Sequence, residues 1–245
     1  MQGFFTTGRD RAGNVQDSVY SSLRDNIINL KLPPGTAISE KEISLRYKVS
    51  RTPVREAFIH LSKEGLVRVI PQKETLVSRI DFSRVEQELF LREQLEPATL
   101  KLFVKCAVPS HFRAMDELIA LQAQAMENSE FVKFMQYDND FHHIIYSGAG
   151  QELAWEVLNT MTGHYYRIRL LTVWLKGIAS DILAEHRNLA EALKAKDFST
   201  AATVLETHIH KLGDEKKLLR ETFPGYFTDP DEPAFDVNFG GLVFS

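Results

Sequence analysis

The chain has a single cysteine, Cys106, in 245 residues. No intrachain disulfide can form and no cysteine-based zinc framework can be built, so a reducing, cytoplasmic setting is expected. Long apolar runs are lacking as well. No segment holds eighteen uninterrupted apolar residues, and the stretch from Met1 to Gly13 offers only Phe4 and Phe5 among polar and charged neighbours. Neither a membrane span nor a secretion leader is expected. Alternating apolar and polar positions are scarce beyond Asp81, which leaves no sheet there, and no internal repeat is visible. What is present is a globular composition, 44% hydrophobic and 25% charged, in a chain long enough for two domains.

The net charge of −4 hides an asymmetry. Residues 1–80 hold 13 basic against 8 acidic side chains, whereas residues 81–245 hold 16 against 25. A basic N-terminal part suits a polyanionic partner; taken alone, the same split is also compatible with uneven surface charge of no consequence.

Val15, Val19, Leu23, Ile27 and Leu30 recur at three- and four-residue steps and mark one buried face of a first helix, stopped by Lys31-Leu-Pro-Pro-Gly35. Ser39 and Glu42 form the S-x-x-E pattern that starts a second helix. Val49-Ser50 breaks it, and Ser50 is placed to cap a third helix running to about Glu64, with Pro53 in its first turn. Gly65 ends that helix. Leu66 to Ile70 and Thr75 to Ile80 then read as a β-hairpin around Pro71-Gln-Lys-Glu74. This order is that of a winged helix-turn-helix domain over residues 1–80. From residue 81 to 221 the pattern is helical, with segments at about 82–105, 109–127, 130–147, 151–174, 178–196 and 198–220, read as an antiparallel six-helix bundle. The fold class is therefore mainly α. Residues 222–245 form an aromatic-rich tail, whose Phe223, Tyr226, Phe227, Phe235, Phe239 and Phe244 argue against a solvated segment.

A helix that enters the major groove needs long hydrogen-bonding side chains in its first turns. Arg51 and Arg55 lie four residues apart on one face, arginine pairs bidentately with guanine, and Thr52 can reach a base edge or a phosphate. Lys41 on the preceding helix and Lys73 at the hairpin tip are placed for the DNA backbone. A lone helical arginine is ordinarily a solvated residue paired with an acid such as Glu56. Here the arginines stand within a longer pattern: Pro34-Gly-x-x-Ile-Ser-Glu-Lys-Glu-Ile43, Val49-Ser-Arg-Thr-Pro-Val-Arg-Glu-Ala57 and Leu61-x-x-Glu-Gly-Leu-Val67. Over residues 15–80 this strongly resembles the DNA-binding domain of the GntR family of bacterial regulators. The resemblance implies that Lys41, Arg51, Thr52 and Arg55 contact operator DNA and that the hairpin is a wing touching the minor groove. One departure is that Gln72-Lys73-Glu74-Thr75 lacks the family's usual wing glycine and brings an acid towards the phosphates.

Asp138 and His142 are spaced i, i+4 and project from one helical face, an arrangement suited to one metal ion, while His186 and His208 lie on two other helical segments. Spacing alone does not show that they converge. Asp138-x-x-Phe-His142, Glu185-His186-Arg187 and His208 resemble the FCD effector domain of the FadR subfamily, with a six-helix count like its VanR branch; that resemblance implies that Asp138, His142, His186 and His208 hold one divalent metal. Oxygen and nitrogen ligands without sulfur suit zinc first, with nickel, manganese or iron as alternatives. His143, His164 and His210 fall outside the pattern and read as structural or surface residues.

Arg92 resembles the arginine that many such domains aim at an acidic ligand; the competing reading is an intrahelical pair with Glu88 or Glu96. Arg167 and Arg169 are further candidates. The resemblance thus leads to a homodimeric DNA-binding regulator, with no catalytic site and no membrane partner, commonly a repressor, that responds to a small organic acid. A metal sensor is the alternative, and a metal-dependent hydrolase leaves Arg51 and Arg55 without a role.

Overall fold

The computed structural model describes residues 15–70, 74–210 and 216–229, which divide into two compact units: one from Met1–Val85 and Arg220–Ser245, the other from Glu86–Leu219.

In the first unit, helix α1 (Val15–Ile28) buries Val19, Leu23 and Ile27, the face set by its apolar spacing, while Val15 at its open end is exposed. The helix ends before the proline pair, because Leu30 turns into the left-handed region at φ 58°. Strand β1 (Ala37–Ile38) follows, then α2 (Glu40–Tyr47), where the Ser39 hydroxyl accepts from the Glu42 amide at 3.1 Å as its cap. Lys48, at φ 56°, closes α2. Helix α3 (Arg51–Lys63) begins after Ser50, whose backbone is extended but whose side chain makes no cap bond, a correction to the capping role expected of it. Pro53 fits the first turn, where an amide has no intrahelical partner to lose.

Val54, Ala57, Phe58 and Leu61 of α3 pack against Val19, Leu23 and Ile27 of α1 in one apolar core. At its margin the buried Glu64 carboxylate accepts from Arg24 Nε at 2.8 Å and from the Tyr20 hydroxyl. The hairpin forms as β2 (Val67–Ile70) against β3 (Glu74–Val77), in register Val67 to Val77. β1 pairs with β3 on the other side, giving the order β1-β3-β2. Two residues of strand carry no period, so the third strand leaves no trace in the apolar pattern.

The chain beyond Arg220 returns to this unit. Phe227 stacks on Phe82 with ring centres 4.9 Å apart, and the Thr228 amide donates to the Ile80 carbonyl at 3.0 Å. Of the aromatics noted in the tail, Phe235, Phe239 and Phe244 lie outside the described residues.

The second unit is helical. Its elements are α4 (Phe82–Cys106), which begins in the first unit, α5 (Pro109–Glu127), α6 (Phe131–Gly148), α7 (Glu152–Met161), α8 (Gly163–Lys176), α9 (Ala179–Lys194), α10 (Phe198–Ile209) and α11 (Lys216–Thr222). The segment expected as one helix over 151–174 is divided at Thr162, and the one expected over 198–220 is described as α10 and α11, so among the described residues α4 to α11 make eight helices where six were expected, and the count that pointed to the VanR branch is not met. Apolar periodicity continues through the break at Thr162, which is why the sequence pattern conceals it. Helix α5 packs on α6 and α9, and α9 on α10, which brings the polar faces of α6, α9 and α10 to one buried region.

Candidate nucleic-acid interface and metal centre

Arg51, Thr52 and Arg55 are exposed on α3, opposite the buried Val54, Ala57, Phe58 and Leu61, and Lys41 is exposed on α2. Burial of one stripe of α3 leaves the other to solvent, so the same spacing that makes the core presents the arginines. Arg55 is engaged within the chain: its Nε donates to Glu40 Oε1 at 2.8 Å and its Nη2 to Glu40 Oε2 at 2.9 Å. This partner is not Glu56, the acid nearest in sequence. Lys73 lies outside the described residues, and Glu74 opens β3 on the exposed side.

The four residues expected to hold a metal come together. Asp138 and His142 project from α6, His186 from α9 and His208 from α10; all four are buried, and one ligand atom from each lies within 4.8 Å of the others. His142 Nε2 stands 3.1 Å from His208 Nε2, and Asp138 Oδ1 is 3.6 Å from His186 Nε2 and 4.0 Å from His208 Nε2. Bonds of about 2.1 Å to one ion place neighbouring donors roughly 3 Å or a little more apart, so these separations suit a shared cation.

Two of the three imidazoles are held from behind by hydrogen bonds. His186 Nδ1 meets Gln122 Oε1 at 2.7 Å and His208 Nδ1 meets Glu185 Oε2 at 3.0 Å; His142 Nδ1 lies 3.1 Å from Glu96 Oε2 without hydrogen-bond geometry, an ionic neighbour only. An acceptor at Nδ1 favours the tautomer with its proton there, which leaves the Nε2 lone pair facing the centre. His186 Nε2 is buried without a hydrogen-bond partner, the kind of orphaned atom that a metal satisfies. Burial drives the His186 imidazole well below its ordinary pKa and that of His208 down to about 4, so both are neutral donors near pH 7. Burial alone would raise Asp138, but Arg169 and the histidines outweigh it and hold the carboxyl far below the usual range. Arg169 Nη2 donates to both Asp138 oxygens, at 2.9 and 3.0 Å. The donor set is three imidazoles and one carboxylate, and the residues present fit a divalent ion.

Arg92 is buried and paired with Glu96 on its own helix, not with Glu88, whose carboxylate accepts from the Tyr165 amide at 2.7 Å. A small pocket beside the centre is lined by Tyr165, Arg169, Thr172, Val173, Ile182 and His208, and Arg92 is not on its wall. The guanidinium groups of Arg92 and Arg169 lie 5.2 and 5.6 Å from the Tyr165 ring centre. Arg167 is fully buried, its Nε donating to the Gly163 carbonyl at 3.2 Å, and burial lowers its pKa to about 10. Of the histidines left out of the site, His143 pairs with Glu152 at 3.0 Å and His210 with Glu93 at 2.9 Å, while His164 is buried. Gln122 as the partner of His186, Glu185 as the partner of His208 and the place of Glu96 beside His142 escaped the sequence reading. Glu185 adjoins His186 in the motif, whereas nothing in spacing links Gln122 to a histidine 64 residues away.

The chain matches the model of the bacterial regulatory proteins of the gntR family over residues 15–77 and that of the FCD domain over residues 88–211. It is 27% identical to the HTH-type transcriptional repressor RspR of Escherichia coli over 215 residues, 88% of this chain and 94% of that protein. It is 32% identical over 212 residues to an HTH-type transcriptional regulator in an unstable DNA locus of Streptomyces ambofaciens, covering 85% of this chain and 88% of the relative. Among solved structures, E. coli McbR/YncC superposes with a TM-score of 0.74 at 19% identity over 86% of this chain and 99% of that one, which shows the fold. A transcriptional regulator from Rhodococcus sp. RHA1 does so with 0.71 at 20%, over 85% and 98%. These relatives are regulators rather than enzymes, and no helix among the described residues is long and apolar enough to cross a membrane. The chain therefore belongs to the GntR family of DNA-binding transcription regulators, with an FCD domain of the FadR type following its winged helix-turn-helix.

Proposed function

We propose that the chain is a homodimeric repressor whose grip on operator DNA is set by a small organic acid bound beside a divalent metal, zinc first. Residues 1–80 act as the DNA-binding domain, with Arg51, Thr52 and Arg55 on bases or nearby phosphates and Lys41 and Lys73 on the backbone; residues 81–221 carry effector and dimer contacts, and 222–245 form the tail. The observation that carries the effector part is the convergence of Asp138, His142, His186 and His208, with His186 and His208 held by Gln122 and Glu185. Four protein donors close a tetrahedral zinc site unless it expands its coordination, whereas on an ion that takes six, such as nickel, manganese or iron, they leave room for a carboxylate, for which the bound metal supplies positive charge. Arg169 and Thr172 line the adjoining pocket, so a carboxylate entering there meets a guanidinium. Arg92, held by Glu96 behind Tyr165, acts on that carboxylate through charge rather than contact. The repressor reading draws on the name of RspR, and dimers suit a pseudo-palindromic operator.

Effector occupancy shifts operator affinity through a coupling of typically about 1–3 kcal/mol. The test combines elemental analysis of the purified protein, a thermal-shift screen of small acids, and anisotropy of labelled operator with and without each hit. About one metal per chain and an acid that both raises the melting temperature and weakens operator binding are expected; a metal-free protein indifferent to every acid overturns the reading. Deep burial of all four donors also favours a metal sensor, in which case operator affinity follows free metal with no acid present.

A further inference from the structure

Glu40, the first residue of α2, accepts both hydrogen bonds from one edge of the Arg55 guanidinium, Nε at 2.8 Å and Nη2 at 2.9 Å. The pair is open to solvent, with 65% of the Arg55 side chain and 29% of that of Glu40 exposed. Such a pair adds little to stability, since water and salt screen it and two long side chains lose freedom to hold it. Its place is informative: it ties the start of α2 to the outward face of α3, from which Arg51 and Thr52 also project.

A guanidinium carries five N–H donors in a rigid planar fork. With Nε and one hydrogen of Nη2 engaged on Glu40, the far edge remains, formed by Nη1 and the second hydrogen of Nη2. That edge matches the O6 and N7 acceptors of guanine in the major groove. Carboxylate and base take different sides of the fork, so both can be held at once. An exposed arginine loses rotamer freedom when it docks on a base; here much of that ordering precedes DNA. Glu40 also brings negative charge to a surface that meets phosphate, which weakens contact with any duplex irrespective of sequence.

We propose that Glu40 is a positioning residue for base recognition, holding Arg55 by one edge so that the other is presented to a guanine, and thereby sharpening sequence discrimination while lowering affinity for DNA in general. The proposal rests on the reading of Arg55 as a groove-facing residue.

The test uses the full chain as wild type, Arg55→Ala, Arg51→Ala, Glu40→Gln and Glu40→Asp. Base preference is read by selection from a random-sequence duplex library, and general affinity by anisotropy on random duplex at fixed salt. Arg55→Ala erases preference at one base pair. Glu40→Asp keeps the charge but is one methylene short, so discrimination at that same base pair falls about tenfold while random-duplex affinity holds. Glu40→Gln lowers discrimination to a similar degree and tightens random-duplex binding. Preference at the base pair that Arg51→Ala disturbs persists in both Glu40 variants, which separates positioning from general unfolding.

Glu40 variants whose preference at the Arg55 base pair is intact or sharper overturn the proposal, a uniform gain in affinity marking Glu40 as a mere competitor for Arg55. Loss of preference at the Arg51 and Arg55 base pairs together in Glu40→Asp also overturns it. If Arg55→Ala leaves every preference unchanged, the groove-facing reading itself fails and takes the proposal with it.

Discussion

The Nε2 atoms of His142 and His208 face each other at 3.1 Å inside the helical unit, although the two residues are 66 positions apart along the chain. The Glu185 carboxylate bonded to His208 Nδ1 favours the tautomer that turns the Nε2 lone pair of His208 towards the point between them, and the Glu96 carboxylate lies 3.1 Å from His142 Nδ1. Lone pairs at that distance repel unless a proton or a cation stands between them, and Asp138 adds a carboxylate to the same point.

His186→Ala is expected to abolish stoichiometric metal retention, and Gln122→Ala, which only frees the His186 ring to turn, to weaken metal affinity about 10- to 100-fold. Chelation of the native protein should lower its melting temperature; a metal at a hundred times its dissociation constant contributes about 2.7 kcal/mol. Elemental analysis and calorimetry check both, and undiminished metal in His186→Ala rejects the site.

Acid should destabilise the metal-free protein well before the carboxylates titrate. The folded-state pKa of His208 is lowered to about 4 and that of His186 lies well below its ordinary value, so between about pH 6.5 and 4 the unfolded chain binds more protons than the folded one. Stability is then complete above pH 6.5 and declines as pH falls, by up to about 1.4 kcal/mol per pH unit for each histidine. Urea midpoints at pH 7 and pH 5 measure it, and a flat profile refutes it.

Gly148 closes α6 where a β-carbon would lie 2.5 Å from Phe103 Cε2 and 3.0 Å from His111 Cε1. Gly148→Ala should cost about 1–3 kcal/mol by overpacking, and Phe103→Leu in the same chain should recover part of it. Thermal unfolding of the single and double variants decides, and an additive loss in the double variant refutes the close approach as its cause.

Arg51→Ala should cost about 1–3 kcal/mol on the operator and relax preference at one base pair, whereas Lys41→Ala and Lys73→Ala should weaken all duplexes alike and reduce the salt slope by about 1 each. Parallel titrations on specific and random DNA at several salt concentrations separate these roles. Equal losses on both DNAs from Arg51→Ala would count against base contact by that residue.

Much of the first unit is legible in its residues. The spacing of Val19, Leu23 and Ile27, the Ser39 cap, and the buried stripe from Val54 to Leu61 are local features, set by the 3.6-residue period and by the orphan amides of a helix start. Where local signals are weak or duplicated, the reading fails. Ser50 has the right type and backbone for a cap yet makes no bond, the break at Thr162 hides within unbroken apolar periodicity, and β1 is too short to have a period. Arg55 has an acid beside it at Glu56, but its partner is Glu40, fifteen residues back across the turn.

By itself the sequence determined which stretches coil, which helical faces turn inward, and that Asp138 and His142 share one face, because these follow from geometry within a few residues. Only the tertiary structure decided that α9 and α10 deliver His186 and His208 to that same point, that Gln122 and Glu96 stand behind the rings, and that Arg169 rather than Arg92 borders the pocket. The approach of distant helices is fixed by the summed packing of many side chains, each weak on its own, and no repeat along the chain encodes it.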